Sequence, residues 1–125
     1  KRPIAGISLR SWKNIEGFLE DIAVLCDYIY EKHNREIVFI VMQESRDLGV
    51  SRKVQAKMKN PSFVMSGGYS PYEIMGMISI MDFVISMRLH TLIFAARRRI
   101  PLIGLVYDPK IEYYLEKLKI GRRSN

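Results

Sequence analysis

The stretch FVISMRLHTLIFAARRRIPLIGLV, residues 83–106, holds two short apolar runs with an amphipathic segment between them. The β-branched and small residues in 82–86 and 101–106 favour strands, and the spacing of apolar residues in 91–98 favours a helix. Two strands joined by a helix form a parallel βαβ unit. This stretch therefore predicts a parallel α/β sheet, and the remaining sequence extends it.

The same alternation of strand and helix patterns continues on both sides of this stretch. Further strands are predicted at 4–9, 35–42 and 62–65, and further helices over 15–31, 45–59, 71–81 and 109–119. The helix at 71–81 has the clearest start, because Ser70 can cap it and Pro71 suits its first position. The alternation predicts a Rossmann-like sheet of about five strands, flanked by helices, in the order 3-2-1-4-5.

The composition fits one globular domain. The chain has 125 residues, of which 48% are hydrophobic and 26% charged, which excludes a disordered chain. We expect a domain over residues 1–121 and a frayed tail over 122–125. Cys26 is the single cysteine, which excludes a disulfide framework and favours a reducing, cytoplasmic setting. No metal site and no membrane span of roughly 20 apolar residues is predicted.

The net charge of +7 is spread over the whole chain. A basic face could bind nucleic acid, an anionic membrane surface or a small anionic substrate. We expect no nucleic-acid partner, because no predicted strand alternates aromatic and basic residues.

Ligands of open α/β sheets bind beyond the carboxyl ends of the strands, where the strand order reverses. Three predicted loops meet there, after the first, fourth and fifth strands. Their polar residues are Arg10, Ser86, Arg88, His90, Asp108 and Lys110. Because four of these side chains are cationic or can become so, the sequence predicts an anionic ligand that carries phosphate or carboxylate.

Arg88 and His90 lie within an apolar run, where an unpaired polar side chain is costly to bury. They therefore need either partners or a ligand. The structural alternative for Arg88 is an ion pair with Asp82 or with Glu73.

Residues 86–96 and 100–110 resemble the bacterial polysaccharide pyruvyl transferases, which place pyruvate ketals on cell-wall and exported polysaccharides. Residues 6–12 and 42–47 are similar to the family's first strand and to its segment after the second strand. In the strand at 101–106 this chain departs from the family, because no Ser stands near its middle. That departure concerns contacts with the acceptor rather than the fold.

The resemblance implies phosphoenolpyruvate as donor, a saccharide acceptor that a lipid can carry, and no cofactor beyond the donor. It implies His90 as the catalytic residue, acting as acid–base or as an anion ligand. It implies Arg88, Lys110 and Arg10 as donor-binding residues. Further substrate contacts are assigned to Ser86, Asp108 and Gln43.

Members of this family are longer and resemble two-domain glycosyltransferases of the GT-B architecture. The resemblance therefore implies that this chain is the C-terminal half, that an N-terminal domain is its partner, and that it is inactive alone. It also implies a cytoplasmic enzyme at the inner face of the plasma membrane, with peripheral contact to the lipid.

Two other functions fit the sequence. One is a GT-B glycosyltransferase domain that binds a nucleotide sugar with the same edge of the sheet. The other is a non-enzymatic module that binds polyanions or a membrane surface, and whose binding weakens steeply with salt.

Overall fold

The computed structural model describes residues 2–10, 16–42, 44–65, 68–87 and 89–104. Its strands are β1 (Ile4–Ser8), β2 (Glu36–Ile40), β3 (Phe63–Met65), β4 (Phe83–Ser86) and β5 (Leu102–Gly104). Its helices are α1 (Glu16–Lys32), α2 (Glu44–Lys57), α3 (Pro71–Ser79) and α4 (Leu89–Arg97). The predicted features beyond residue 104, including the helix at 109–119 and the tail at 122–125, lie outside the described residues.

The strands form one sheet in the order β3-β2-β1-β4-β5, and every neighbouring pair is parallel. This confirms the predicted order and the Rossmann-like fold class. The chain runs outward from β1 through β2 to β3 and then returns to place β4 on the other side of β1. The order of the strands therefore reverses between β1 and β4, which is where such sheets bind ligands.

Two apolar cores lie on the two faces of the sheet. On one face, side chains of α1 and α2 pack on the sheet, with Leu19, Cys26 and Val54 among the fully buried residues. On the other face, α3 and α4 pack through residues such as Ile78 and Ala95. Burial on both faces explains why the central strands are almost wholly apolar.

Gly6 in β1 allows the core beside α3 to pack tightly against the sheet. A Cβ atom at this position would overlap Sδ of Met81 and lie 2.9 Å from Cδ1 of Ile40. The strand therefore needs a residue without a side chain here, because neither neighbour is open to solvent.

The predicted start of α3 is confirmed. Ser70 Oγ accepts a hydrogen bond of 3.2 Å from the backbone N–H of Glu73, and the Glu73 carboxylate accepts one of 2.8 Å from the N–H of Ser70. This reciprocal capping box satisfies donors at the helix N-terminus. The helix ends at Ser79, slightly before the predicted residue 81.

The described helices differ from their predicted ranges by one or two residues at their ends, and α2 and α4 differ at their starts. Helix α2 begins at residue 44 and is continuous through Gly49 and Ser51, because Val50 and Val54 are buried against α1 and outweigh the weak local propensity. Helix α4 begins at Leu89, two residues before the predicted start. None of the described helices is long and apolar enough to cross a membrane.

A salt bridge connects the residues that precede β2 and β4, at the amino ends of these strands. Arg35, just before β2, donates from Nε to Oδ2 of Asp82, just before β4, over 2.6 Å. A second donor of Arg35 bonds the carbonyl of His33, which follows α1. This edge of the sheet lies opposite the ends where a ligand is expected.

Candidate functional site

The carboxyl ends of the three strands at the switch point are level with one another. Ser8 of β1 pairs with Ser86 of β4, and Ser86 pairs with Gly104 of β5. The backbone N–H of Met87 then donates to the carbonyl of Ser8 over 2.8 Å, which continues the pairing by one residue. The backbones of β1 and β4 therefore remain side by side where the two strands end.

The last row of these strands presents small residues to the α3 and α4 face. Side chains alternate along a strand, so Ser8 shares a face with Gly6, and Ser86 shares a face with Val84. Gly6 and Val84 both lie on the core side that α3 and α4 cover. The small side chains leave room for the first turn of α4 to approach the strand ends closely.

Helix α4 is joined to β1 by a buried hydrogen bond between two hydroxyl groups. Ser8 Oγ and Thr91 Oγ1 lie 3.1 Å apart, and both side chains are completely buried. Either hydroxyl can be the donor. Because α4 runs antiparallel to the strands, its N-terminus lies at their carboxyl ends, where its free N–H groups favour anions.

Arg10 lies where the sequence placed it, at the carboxyl end of β1. The strand ends at Ser8, Leu9 is fully buried, and Arg10 follows as a half-buried residue. Its Nε atom is buried. A partly buried guanidinium at this edge is less well screened by water than one on an open surface, so its charge acts more strongly on a nearby anion.

His90 is the second residue of α4, whereas the sequence placed it in the preceding loop. This brings its backbone into the positively polarised first turn of the helix. Ser86, the last residue of the predicted strand 82–86, is the last residue of β4 and is fully buried. The side chain of His90 and the whole of Arg88, Gln43, Asp108 and Lys110 lie outside the described residues.

Both acidic partners considered for Arg88 are bonded elsewhere. Asp82 pairs with Arg35 at the amino ends of the strands, and Glu73 closes the capping box of α3. Asp82 precedes β4, at the amino end of that strand.

The clearly perturbed titrating groups among the described residues are in α1, away from this edge. Burial, followed by the charge of Asp27, raises the pKa of the Cys26 thiol to about 12. For Asp27, burial raises the pKa, but hydrogen bonds from Lys59 and Asn60 outweigh it and hold the pKa below its ordinary value. Within the described ranges, no three His, Cys, Asp or Glu residues are grouped so that they could hold a metal ion.

Ser8 and Thr91 were missed as site residues by sequence reasoning. A single Ser in an apolar strand and a Thr within an amphipathic helix are common, and neither is unusual on its own. The strand alternation places Ser8 on the same face as Gly6, and that is the signal that could have directed attention to it. The contact with Thr91 joins residues 83 positions apart, which no local pattern reveals.

The fold is that of a Rossmann-like α/β domain, and Arg10 lies at the carboxyl end of β1, beside the switch point. A family model described as polysaccharide pyruvyl transferase matches residues 1–109. The chain belongs to the polysaccharide pyruvyl transferase family, as its sequence motifs predicted. No curated protein matches the chain.

Two solved structures share the fold at low sequence identity. The UDP-GlcNAc 2-epimerase of Methanocaldococcus jannaschii, solved in complex with UDP-GlcNAc and UDP, superposes with a TM-score of 0.59 at 12% identity. The match covers 83% of this chain and 30% of the epimerase chain, so this chain spans about a third of that enzyme's length. The Moco carrier protein of Chlamydomonas reinhardtii superposes with a TM-score of 0.57 at 14% identity, covering 97% of this chain and 86% of that one.

Proposed function

We propose that this chain binds the donor in an enzyme that transfers pyruvate from phosphoenolpyruvate to a saccharide as a ketal. The observation that carries the proposal is the shared edge of Arg10 and His90 in a chain of this family. Arg10 follows β1, His90 lies in the first turn of α4, and β1 and β4 are neighbours in the sheet. Family membership supports this class of reaction, and a cationic edge at the switch point suits an anionic donor.

Cationic groups hold the donor in this proposal. Phosphoenolpyruvate carries about three negative charges, which guanidinium and ammonium groups bind through charge-assisted hydrogen bonds. Arg10, Arg88 and Lys110 are assigned to its phosphate and carboxylate, next to the N-terminus of α4. Ser86, Asp108 and Gln43 are assigned to the remaining polar contacts of the two substrates.

The reaction needs two protons to be supplied and two to be removed. A proton adds to the methylene carbon of the donor, and one sugar hydroxyl attacks the adjacent carbon and loses its own proton. The bond from that carbon to the phosphate oxygen then breaks, and phosphate takes up a proton as it leaves. A second hydroxyl then attacks and deprotonates to close the ketal. A group that can both give and accept protons near neutral pH suits these steps.

His90 is assigned this role, because an imidazole titrates at about pH 6.5 when unperturbed. As an acid it would protonate the donor methylene, and as a base it would accept a hydroxyl proton. The alternative assignment is an imidazolium that binds the phosphate. The two roles differ in the pH profile: an acid–base group affects kcat, whereas an anion ligand affects mainly KM for the donor.

A second domain completes the enzyme in this proposal. Residues 1–121 form the Rossmann-like domain, and an N-terminal domain supplies the other wall of a cleft above the strand ends. The larger size of the structurally similar epimerase supports this reading. The chain of 125 residues is then expected to give no turnover by itself, which an activity assay of the chain alone checks.

The test is phosphate release from phosphoenolpyruvate by the intact protein in the presence of a lipid-linked sugar acceptor. His90→Gln and Lys110→Ala are expected to lower kcat/KM by at least about a hundredfold and about tenfold, respectively. His33→Gln and Lys32→Ala are matched controls, because both residues are exposed at the end of α1 and lie at the opposite edge of the sheet. Activity that is equal in His90→Gln and His33→Gln would remove His90 from the chemistry.

A GT-B glycosyltransferase that uses a nucleotide sugar is the second candidate. The likeness to an epimerase solved with UDP-GlcNAc and UDP favours it, because a diphosphate would use the same cationic edge. Binding of a uridine or cytidine diphosphate sugar without binding of phosphoenolpyruvate would select this candidate. A non-enzymatic polyanion-binding module is tested in the same way, since its binding would depend on total charge and not on His90.

We place the reaction in the cytoplasm, at the inner face of the plasma membrane, where lipid-linked acceptors can be reached. The exposed basic run Arg97-Arg98-Arg99 ends α4 and therefore lies at the amino ends of the strands. A membrane bound by this run would face the edge opposite the proposed donor site. Peripheral contact through another surface fits the proposed reaction better.

A further inference from the structure

We infer that Ser8 and Thr91 are positioning residues that hold the first turn of α4, in which His90 lies, against the carboxyl ends of the strands. This inference rests on the proposed function only in that the anionic donor lies at this edge. Its structural basis is a pair of contacts that both involve Ser8.

Ser8 is bonded on both sides of the segment 88–90. Its carbonyl oxygen accepts a hydrogen bond from the backbone N–H of Met87 over 2.8 Å. Its hydroxyl lies 3.1 Å from that of Thr91, which follows His90 directly. One residue of β1 thus contacts the residue before and the residue after the segment, so the positions of both of its ends are set relative to β1.

Both contacts are shielded from water. Ser8, Met87 and Thr91 are all completely buried, so their hydrogen bonds do not compete with solvent. The small residues Ser86 and Gly104 extend the row that begins at Ser8 and give the helix N-terminus its close approach. The first turn of α4 therefore packs directly against the carboxyl ends of the strands, without a layer of large side chains in between.

Ser8 also connects the segments that carry two of the predicted anion-binding residues, Arg10 and His90. Arg10 follows Ser8, the last residue of β1, by two positions, whereas His90 is the second residue of the helix that Ser8 contacts. A shift of α4 relative to β1 would change the separation of these two groups. Because anion binding by several donors depends on their mutual geometry, loss of the hydroxyl pair weakens binding without removing any cationic side chain.

The experiment compares Thr91→Val, Thr91→Ser and Ser8→Ala in the intact protein. Val keeps the shape of Thr without the hydroxyl, and Ser keeps the hydroxyl. Thr91→Val and Ser8→Ala are each expected to raise KM for phosphoenolpyruvate at least about fivefold, whereas Thr91→Ser stays within about twofold of wild type. Asp82→Asn, which breaks the contact with Arg35 at the opposite edge, is the control and leaves KM unchanged.

A second readout does not depend on turnover. Inorganic phosphate is titrated while the imidazole NMR signals of His90 and His33 are followed, with assignments from His90→Gln and His33→Gln. We expect phosphate to shift the His90 signal in wild type and in Thr91→Ser. In Thr91→Val, the affinity for phosphate that this shift reports is expected to be at least about fivefold lower. The His33 signal, from the opposite edge, stays unchanged in all variants.

The outcomes separate this inference from the proposed function. Wild-type protein without turnover of phosphoenolpyruvate, but with a His90 response that Thr91→Val weakens, contradicts the proposed function and supports the positioning role. A folded Thr91→Val protein with wild-type KM and a wild-type phosphate response overturns the positioning role. If Thr91→Val does not fold, Ser8→Ala decides between the same two results.

Discussion

Ser8 Oγ and Thr91 Oγ1 lie 3.1 Å apart in the interior, although 83 positions separate the two residues in the chain. The contact joins the carboxyl end of β1 to the first turn of α4. It is a polar contact between two completely buried side chains, so removing one partner leaves the other without its hydrogen bond.

The first prediction concerns the stability that this pair contributes. Thr91→Val is expected to lower the free energy of unfolding by about 1–3 kcal/mol, because the Ser8 hydroxyl loses its partner in a buried place. The double variant Ser8→Ala/Thr91→Val is expected to lose less than the sum of the single changes, since no hydroxyl is then left over. Urea unfolding of the four proteins measures the coupling, and additive losses would contradict it.

Gly6→Ala tests the close packing between β1 and the core beside α3. The added methyl group would overlap Met81 Sδ and crowd Ile40, so we expect a loss of about 1–3 kcal/mol in the free energy of unfolding. Gly49→Ala in α2 is the matched control. Nothing lies within 4 Å of its added methyl group, and Ala is the better helix former by up to about 1 kcal/mol. The midpoint temperature of thermal unfolding should be lower than that of wild type for Gly6→Ala and higher for Gly49→Ala.

Asp27 joins α1 to the segment that follows α2. Its carboxylate accepts hydrogen bonds from the backbone N–H groups of Lys59 and Asn60 and from the Asn60 side chain, at 2.9 to 3.1 Å. These bonds hold its pKa below the ordinary value of 3.8. Its stabilising contribution is therefore complete above pH 3.8 and disappears as the pH falls through the lowered pKa of the folded state.

Asp27→Asn is accordingly expected to lower the free energy of unfolding by about 1–2 kcal/mol at pH 7. The gap to wild type should narrow as the pH falls below 4, because the wild-type carboxyl group then becomes neutral as well. Asp21→Asn, at an exposed position of the same helix, is the control. A gap that is constant between pH 6 and pH 2.5 would show that the charge of Asp27 is unimportant.

The Cys26 thiol is expected to be unreactive in the folded protein. It is completely buried, and burial together with the nearby Asp27 charge raises its pKa to about 12, so almost no thiolate forms near neutral pH. A thiol reagent at pH 8 should react only at the rate at which the protein opens, and fully in denaturant. Fast labelling without denaturant would contradict this burial.

The raised pKa of Cys26 also affects stability. Since the pKa is raised on folding, the preference for the neutral thiol contributes stability below pH 9, and this contribution is lost as the pH rises toward 12.

The sequence predicted the sheet order well because most elements carry a clear local signal, although α2 does not. The apolar run 4–9 indicated β1, and the capping residues Ser70 and Glu73 indicated where α3 begins. The start of α4 was placed too late, because His90 interrupts an apolar run and polar residues there are typical of a loop. The first turn of a helix tolerates such a residue, since its N–H groups are open to solvent or ligand.

The site was less predictable than the fold. The rule for strand ends selects positions irrespective of their function, and the structure places Arg10 at the carboxyl end of β1, as this rule predicted. The hydroxyl pair was not found, since Ser8 and Thr91 form a feature only when the fold brings them together. The ion-pair alternatives for Arg88 also required the fold, because sequence distance does not show that Asp82 binds Arg35.

Calorimetric titration of the intact protein, separately with phosphoenolpyruvate and with a uridine diphosphate sugar, tests the central claim most directly. The proposal predicts that phosphoenolpyruvate binds, that His90→Gln and Arg88→Ala each weaken it at least about tenfold, and that His33→Gln leaves it unchanged. Binding of the nucleotide sugar without phosphoenolpyruvate, or equal affinity in His90→Gln, Arg88→Ala and His33→Gln, would contradict a donor site at this edge.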